Sequence, residues 1–370
     1  SGKMKNNRAS EKSHELVSVL ICALVVASVI ISGCSAKLSL ASAEIMFHAP
    51  PERTAAPSKV KKATKPAEEP TSAAPKPELP ADITETPKDI LDIIKKYTEL
   101  YADDKRDADI RATTYGKTGA THIFENVKVK NTTDTKPLDI EKVLAEPLEL
   151  SIDRSKPAIL IFHSHTSEGY ELIERDWYAE GSTSRSNDEN LNVVRVGTEI
   201  ENYLTEKGYT VIHDKIIHDD DYTGSYPHSR KTLEEILAEN PQIQIVLDIH
   251  RDSITLDDGT KMKPIAELGV RRAAQLMIIT GAEEGKVKDF PDWEYNLRFA
   301  LRLQKRCEDM FPGLMRPVLF SQRKYNMDIT HFSLLIEMGS EANTLEEACY
   351  SGRLLACALA SLMDEYAKDG

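Results

Sequence analysis

The chain has 370 residues, a formal net charge of −13, 18 prolines and five cysteines. So acidic a chain has no concentrated basic face to neutralise phosphates, which excludes general nucleic-acid binding. Five scattered cysteines supply no disulfide framework; Cys307, Cys349 and Cys357 fall mostly on predicted helices and read as small buried apolar side chains.

Ser1-Gly2-Lys3 before Met4 has the look of a tag remnant, so residues 1–15 are read as a short tail whose native start is Met4. From Leu16 to Ala36 there is no charged residue, a length that crosses the hydrocarbon core of a bilayer as a helix. Lys5, Arg8 and Lys12 precede it, and the positive-inside tendency puts the tail in the cytoplasm and everything after residue 36 outside. Ile31-Ser-Gly-Cys34 also resembles the lipobox of bacterial lipoproteins, and either route tethers the chain to the same membrane face. Residues 37–88 are expected to form a linker, because Pro, Ala, Lys, Glu, Ser and Thr dominate from Ala49 to Pro80 and bury too little apolar surface to offset chain entropy. Its prolines favour extended chain, at about 3 Å per residue.

Residues 89–154 read as an accessory region. Ile90, Leu91, Ile93, Ile94, Tyr97 and Leu100 recur at helical spacing from Asp89 to Tyr101, and short strands are expected at Thr121–Phe124 and Val127–Val129. From residue 155 the patterns alternate. Strands are predicted at Ala158–Phe162, Tyr209–Ile212, Ile243–Ile249, Leu276–Ile279 and Ser333–Ile336, and helices at Leu191–Gly208, Thr232–Ala238, Trp293–Met310 and Leu345–Tyr366. This alternation predicts an α/β domain over 155–370, built on a mainly parallel, helix-covered sheet.

Three of these strands end in residues that carry chemistry. The run Ala158–Phe162 is too short for a helix and suits a central parallel strand; it ends in His163-Ser-His165-Thr-Ser-Glu168. The second ends at His250-Arg251-Asp252-Ser253 and the third at Glu337. Carboxyl ends of strands are where α/β proteins bind ligands. The His-x-x-Glu spacing of His165 and Glu168, joined by His250, supplies three ligands for a catalytic zinc ion and leaves a position for water. Glu337 is placed to act as general base on that water. His163 points differently if the strand persists to it, so it is expected behind the ligands or against substrate. Arg251 is a candidate for binding a substrate carboxylate and Asp252 for orienting a ligand, with Ser253 and Asn343 as further contacts. Asp188 and Glu189, before the helix at Leu191, stand as alternatives to Glu168.

The set His163-Ser-His165-Thr-Ser-Glu168-Gly-Tyr170, Asn192-Val-Val-Arg-Val-Gly197, Asp248-Ile-His250-Arg-Asp-Ser253 and Glu337-Met-Gly-Ser-x-x-Asn343 resembles the stage II sporulation protein P family. The resemblance covers about residues 155 to 370, and an N-terminal anchor and linker fit the family's layout. It implies a zinc-dependent N-acetylmuramoyl-L-alanine amidase that removes stem peptides from peptidoglycan, with endopeptidase activity also attributed to the family. It implies a role in septal thinning and engulfment, at the cell membrane beside sporulation proteins D and M. Related zinc amidases take their acidic ligand from just before the first long helix, near Asp188 and Glu189, whereas carboxypeptidase-like enzymes use His-x-x-Glu, so the third ligand stays open. Two other readings stand beside the amidase: a zinc peptidase cutting only within stem peptides, and an inactive peptidoglycan-binding scaffold.

Overall fold

The computed structural model describes residues 81–368, all within one compact unit, Lys76–Gly370. The expected anchor at 16–36, the lipobox-like Ile31–Cys34 and the linker up to residue 80 lie outside the described residues. No helix among the described residues is long and apolar enough to cross a membrane.

In chain order the elements are α1 (Ala81–Thr84), α2 (Lys88–Leu100), β1 (Arg106–Thr113), β2 (His122–Phe124), β3 (Val127–Asn131), α3 (Ile140–Ala145), β4 (Pro157–Phe162), β5 (Trp177–Ala179), α4 (Val193–Glu206) and β6 (Thr210–His213). They continue with α5 (Ser225–Glu239), β7 (Ile245–Asp252), β8 (Lys261–Leu268), β9 (Arg271–Ala274), β10 (Leu276–Gly281), α6 (Trp293–Met310), β11 (Val318–Ser321), β12 (Phe332–Ser340) and α7 (Leu345–Met363). Eight strands form the main sheet in the order β2-β3-β11-β10-β12-β7-β4-β6. Five of its seven pairings are parallel, which agrees with the expected mainly parallel α/β architecture.

Strand alternation divides the side chains of the central strands between two apolar layers. Ile159, Ile161, Leu247, Ile249, Leu334, Ile336 and Met338 face the larger core, which also takes in residues of α4, α6 and α7. Leu160, Phe162 and Val246 face the opposite way, against Leu233 of α5. The sheet is therefore covered by helices on both faces, and this is why β4, β7 and β12 read as near-continuous apolar runs.

Several elements depart from expectation. A second sheet, β5-β1-β8-β9, was not foreseen, because β1 is charged and mostly exposed and β8 carries a proline, so neither has the apolar alternation of a strand. Helix α5 begins at Ser225, seven residues before the predicted Thr232. Pro227 is tolerated there because the first turn of a helix has no partner for its backbone N–H groups. Residues on both sides of position 155 share one core: Ile83, Ile90, Val127, Val129 and Ile140 are buried in the same cluster as the central strands. An ion-pair group ties α2 to that core: Arg195 of α4 is bound to buried Glu199 and, at 2.9 Å, to the exposed Asp89 of α2, and Arg353 of α7 lies 2.7 Å from Glu199.

Candidate functional site

The strands β12, β7 and β4 are consecutive neighbours in the sheet, all parallel, so their carboxyl ends open at one edge. The register pairs Phe162 with Asp248 and His250 with Glu337. Counting outward from Val246, positions 248 and 250 share the α5 face, and so does Glu337, which alternates with Ile336 and Met338 of the other layer. The chain leaves β4 at His163 and turns, which brings Ser164, His165 and Glu168 over the same edge.

His250 is buried between two carboxylates. Its Nε2 lies 2.8 Å from Asp248 Oδ1 and 2.8 Å from Ser164 Oγ, and its Nδ1 lies 3.3 Å from Glu168 Oε2. Ser164 in turn donates to Asp248 from both its backbone N–H (2.9 Å) and its hydroxyl (2.7 Å). Burial alone would lower the pKa of His250, but Asp248 and Glu168 outweigh it and raise the imidazole well above its ordinary value. Burial would likewise raise Glu168; the hydrogen bond from His250 and the charge of Arg251 hold it down at about 2, so it is ionised. The ring of His165 lies 5.1 Å from that of His250, and burial together with His250 pushes its pKa down to about 4, leaving it neutral.

Glu337 completes the group from the neighbouring strand. Burial, and next the charge of Asp252, raise its carboxyl well above the usual range. Among the described residues its Oε2 is buried with no hydrogen-bond partner. A register shift between Glu337 and Ser340 marks a bulge, and Gly339 adopts φ 77° there. A Cβ at Gly339 would sit 2.5 Å from Asn343 Oδ1, so only glycine fits. Strand β12 thus continues through the expected sharp turn to Ser340, bending at that bulge.

The other sequence candidates divide. His163 points to the opposite face of the sheet, where Nδ1 donates to the Ile249 carbonyl at 2.9 Å and Nε2 meets His213 Nε2 at 2.9 Å; it is fully buried and touches no cleft. Arg251 spends its guanidinium on the Gly169 carbonyl (3.1 Å) and Ser184 carbonyl (3.0 Å), and its N–H donates to Glu168 Oε2 (3.2 Å), so it braces the ligand loop instead of awaiting a substrate carboxylate. Asp252 holds Arg316 at 2.8 Å in place of a ligand histidine. Ser253 donates to Glu341 at 3.1 Å. Asn343 is buried, accepting from Ser340 N–H and donating to the Pro264 carbonyl, a structural role at the entry to α7. Asp188 is exposed and caps Asn190 at 3.0 Å, and Glu189 is exposed as well, so of the three acidic candidates the fold brings Glu168 to the histidines.

Sequence reasoning passed over Asp248 as a site residue, although it lies two positions before His250 on a strand and so on the same face. It also passed over Arg185, which donates to Ser167 Oγ and Asp219 Oδ2 at 2.7 Å and lies 4.0 Å from Glu168; nothing in its local sequence marks it.

Among the described residues no three His, Cys, Asp or Glu side chains already form a metal-binding group. What the fold brings together is the pair His250 Nδ1 and Glu168 Oε2 with His165 beside it. Bond lengths of about 2.0–2.1 Å put two tetrahedral zinc ligands about 3.3 Å apart. The observed 3.3 Å, the carboxylate holding the far nitrogen of His250 and the unpartnered Glu337 oxygen all fit a divalent cation at this edge.

Fold and site together define the class: an α/β protein with imidazole and carboxylate donors gathered at the carboxyl edge of its central parallel strands. The chain belongs to the stage II sporulation protein P family, whose model matches residues 61–360. A stage II sporulation protein P of Bacillus subtilis (strain 168) is 31% identical over 205 residues, 52% of this chain and 47% of its own, so the chain spans about half the length of that relative. Among solved structures it is similar to the CwlD amidase from Clostridioides difficile in complex with the GerS lipoprotein, at 14% identity and a TM-score of 0.36, covering 56% of this chain and 98% of that one. It is also similar to the N-acetylmuramoyl-L-alanine amidase AmiC2 of Nostoc punctiforme, at 12% identity and a TM-score of 0.32, covering 56% and 96%. Likenesses this remote carry no function across.

Proposed function

We propose that this protein is a zinc-dependent peptidoglycan hydrolase that cleaves the amide between N-acetylmuramic acid and the L-alanine of the stem peptide during sporulation. The observation that carries the reading is His250, held between Asp248 and Glu168 beside Glu337. His165, Glu168 and His250 would hold the ion. When bound, zinc supplies Lewis acidity and lowers the pKa of a water to about 7. Asp248 keeps the His250 ring oriented with its Nδ1 toward Glu168. Glu337, on the strand next to His250, accepts a proton from the attacking water, and delivery of that proton to the departing amine of L-alanine completes the hydrolysis. A neighbouring dication favours the ionised form of Glu337, which burial otherwise opposes.

Membership of the family supports the sporulation setting. The uncharged run 16–36 behind a basic tail supports a membrane anchor with the site on the outer face, and we extend the proposal to sporulation proteins D and M as partners. The His-x-x-Glu pairing of His165 and Glu168 favours a second reading, a carboxypeptidase-like zinc enzyme that cuts within stem peptides. Product analysis separates the two, since an amidase frees intact stems from muramic acid and a peptidase leaves a stump. The deciding experiment measures zinc content and muropeptide release for wild type, His165→Ala, Glu168→Ala, Asp188→Ala, His250→Ala and Glu337→Gln. Zinc is expected to be lost with His165, Glu168 and His250 and kept with Asp188 and Glu337, while Glu337→Gln abolishes cleavage. Wild type that binds no zinc and releases nothing, with sporulation function surviving Glu337→Gln, leaves the scaffold reading instead.

A further inference from the structure

Beside the site runs a loop whose backbone departs from ordinary geometry without a glycine. Tyr325 and Asn326 are consecutive residues with φ of 44° and 59°, in the left-handed region. That conformation is sterically costly for residues with a Cβ and persists where the surroundings over-determine it. Here three devices hold it. Asn326 Nδ2 donates to the Tyr226 carbonyl (3.1 Å) and to Ser229 Oγ (3.2 Å), tying the loop to the first turns of α5. Asp328 accepts from Arg230 of α5 at 2.8 Å and lies 3.0 Å from Lys324. Gly281, at the end of β10, seats the loop, since a Cβ there would collide with the Arg323 carbonyl oxygen.

The result of this constraint is the position of one phenol. Tyr325 stacks on Tyr226 with centroids 5.0 Å apart and planes 19° apart; Tyr226 meets the edge of His165 at 5.4 Å, and His165 meets His250 at 5.1 Å. A continuous row of rings therefore runs from the histidines to Tyr325, and both tyrosines are half-buried. Burial raises the Tyr325 phenol above its ordinary value against the lowering charge of Arg323, so it keeps its proton at neutral pH. Arg323 donates from its guanidinium to the Tyr325 hydroxyl. A phenol that accepts from a cation and keeps its own proton is a strengthened donor toward an oxygen acceptor.

We propose that Tyr325 contacts the substrate during hydrolysis, its hydroxyl, oriented by Arg323, donating a hydrogen bond to the carbonyl oxygen of the scissile amide. The inference rests on the hydrolase reading above. A donor fixed in advance where negative charge develops stabilises the transition state more than the ground state. The strained backbone and its clamps then have a function: they hold the hydroxyl still.

The test uses the full chain loaded with zinc and a soluble N-acetylmuramoyl-L-alanyl peptide. Tyr325→Phe is expected to lower kcat by about a hundredfold while KM stays within about twofold, with zinc content and melting temperature unchanged. Arg323→Gln, which leaves the phenol but removes its partner, is expected to lower kcat by about tenfold. An unchanged kcat for Tyr325→Phe, or a change in KM alone, overturns the proposal. Should Tyr325→Phe fail to fold, an unchanged kcat for Arg323→Gln overturns it equally. If wild type itself does not cleave, the hydrolase reading has failed and this inference falls with it, an outcome distinct from failure of the variants alone.

Discussion

Asp248 Oδ1 lies 2.8 Å from His250 Nε2, two residues back along the same strand and on the side of the ring away from Glu168. The carboxylate fixes which nitrogen faces the cleft. An asparagine at this position would keep the shape but remove the charge that orients the imidazole. Asp248→Asn is expected to weaken zinc binding by about 10- to 100-fold, as losses of such supporting contacts do, measured by competition with a chromophoric chelator.

Protons compete for the same site. Because Asp248 and Glu168 raise His250 well above its ordinary value, the metal-free ring carries both protons at neutral pH, and the Nδ1 proton must leave when a metal enters. Zinc affinity is therefore expected to rise with pH through the neutral range, with release of about one proton from His250 and up to about one more from Glu337, which burial keeps protonated in the metal-free protein. Calorimetry in buffers of different ionisation enthalpy reads that number; zero proton release would contradict the assignment of His250 as ligand.

Glu337 has a linked effect on stability. Its folded pKa is raised, so between the unfolded value, about 4.3, and the folded one the native state holds a proton that the unfolded chain has released. Stability of the metal-free protein then falls as pH rises through that window. Glu337→Gln removes the loss and is expected to make the metal-free protein more stable than wild type at about pH 8, by roughly 1 kcal/mol or more, with little difference at about pH 4. Thermal unfolding in chelator at the two pH values checks it.

The support of His163 is steric. A Cβ on Gly197 would stand 2.7 Å from His213 Nε2 and 2.9 Å from His163, inside a fully packed layer under α4. Gly197→Ala is expected to cost about 1–3 kcal/mol despite the better helix propensity of alanine, because neither ring has room to move. Chemical denaturation measures it; a stabilised variant would mean that the His163–His213 pair is free to shift.

Much of this architecture is legible in the chain itself. The apolar runs of β4, β7 and β12 are long enough for strands and too short for helices, and covering both faces is what makes them uninterrupted. Helix α6 falls at the predicted Trp293–Met310 because its amphipathic period is continuous. The second sheet escaped notice for the opposite reason. Its strands are partly exposed and charged, held by pairing with distant segments, and local sequence records none of that.

Where an apolar run gives way to polar residues is written in the linear chain, and His165, Glu168, His250 and Glu337 follow from it, although β7 continues to Asp252 and β12 to Ser340, beyond the expected ends at Ile249 and Ile336. The choice between Glu168 and the exposed Asp188 needed the folded arrangement, which also made Arg251 and Asn343 braces instead of substrate contacts, gave Asp252 to Arg316 instead of a ligand, and set Tyr325 at the end of the ring row that leads to the histidines. Strand periodicity is a local property, repeated every two residues. A side chain's partner depends on which strands become neighbours and in what register, and that is settled by packing between segments far apart in the chain.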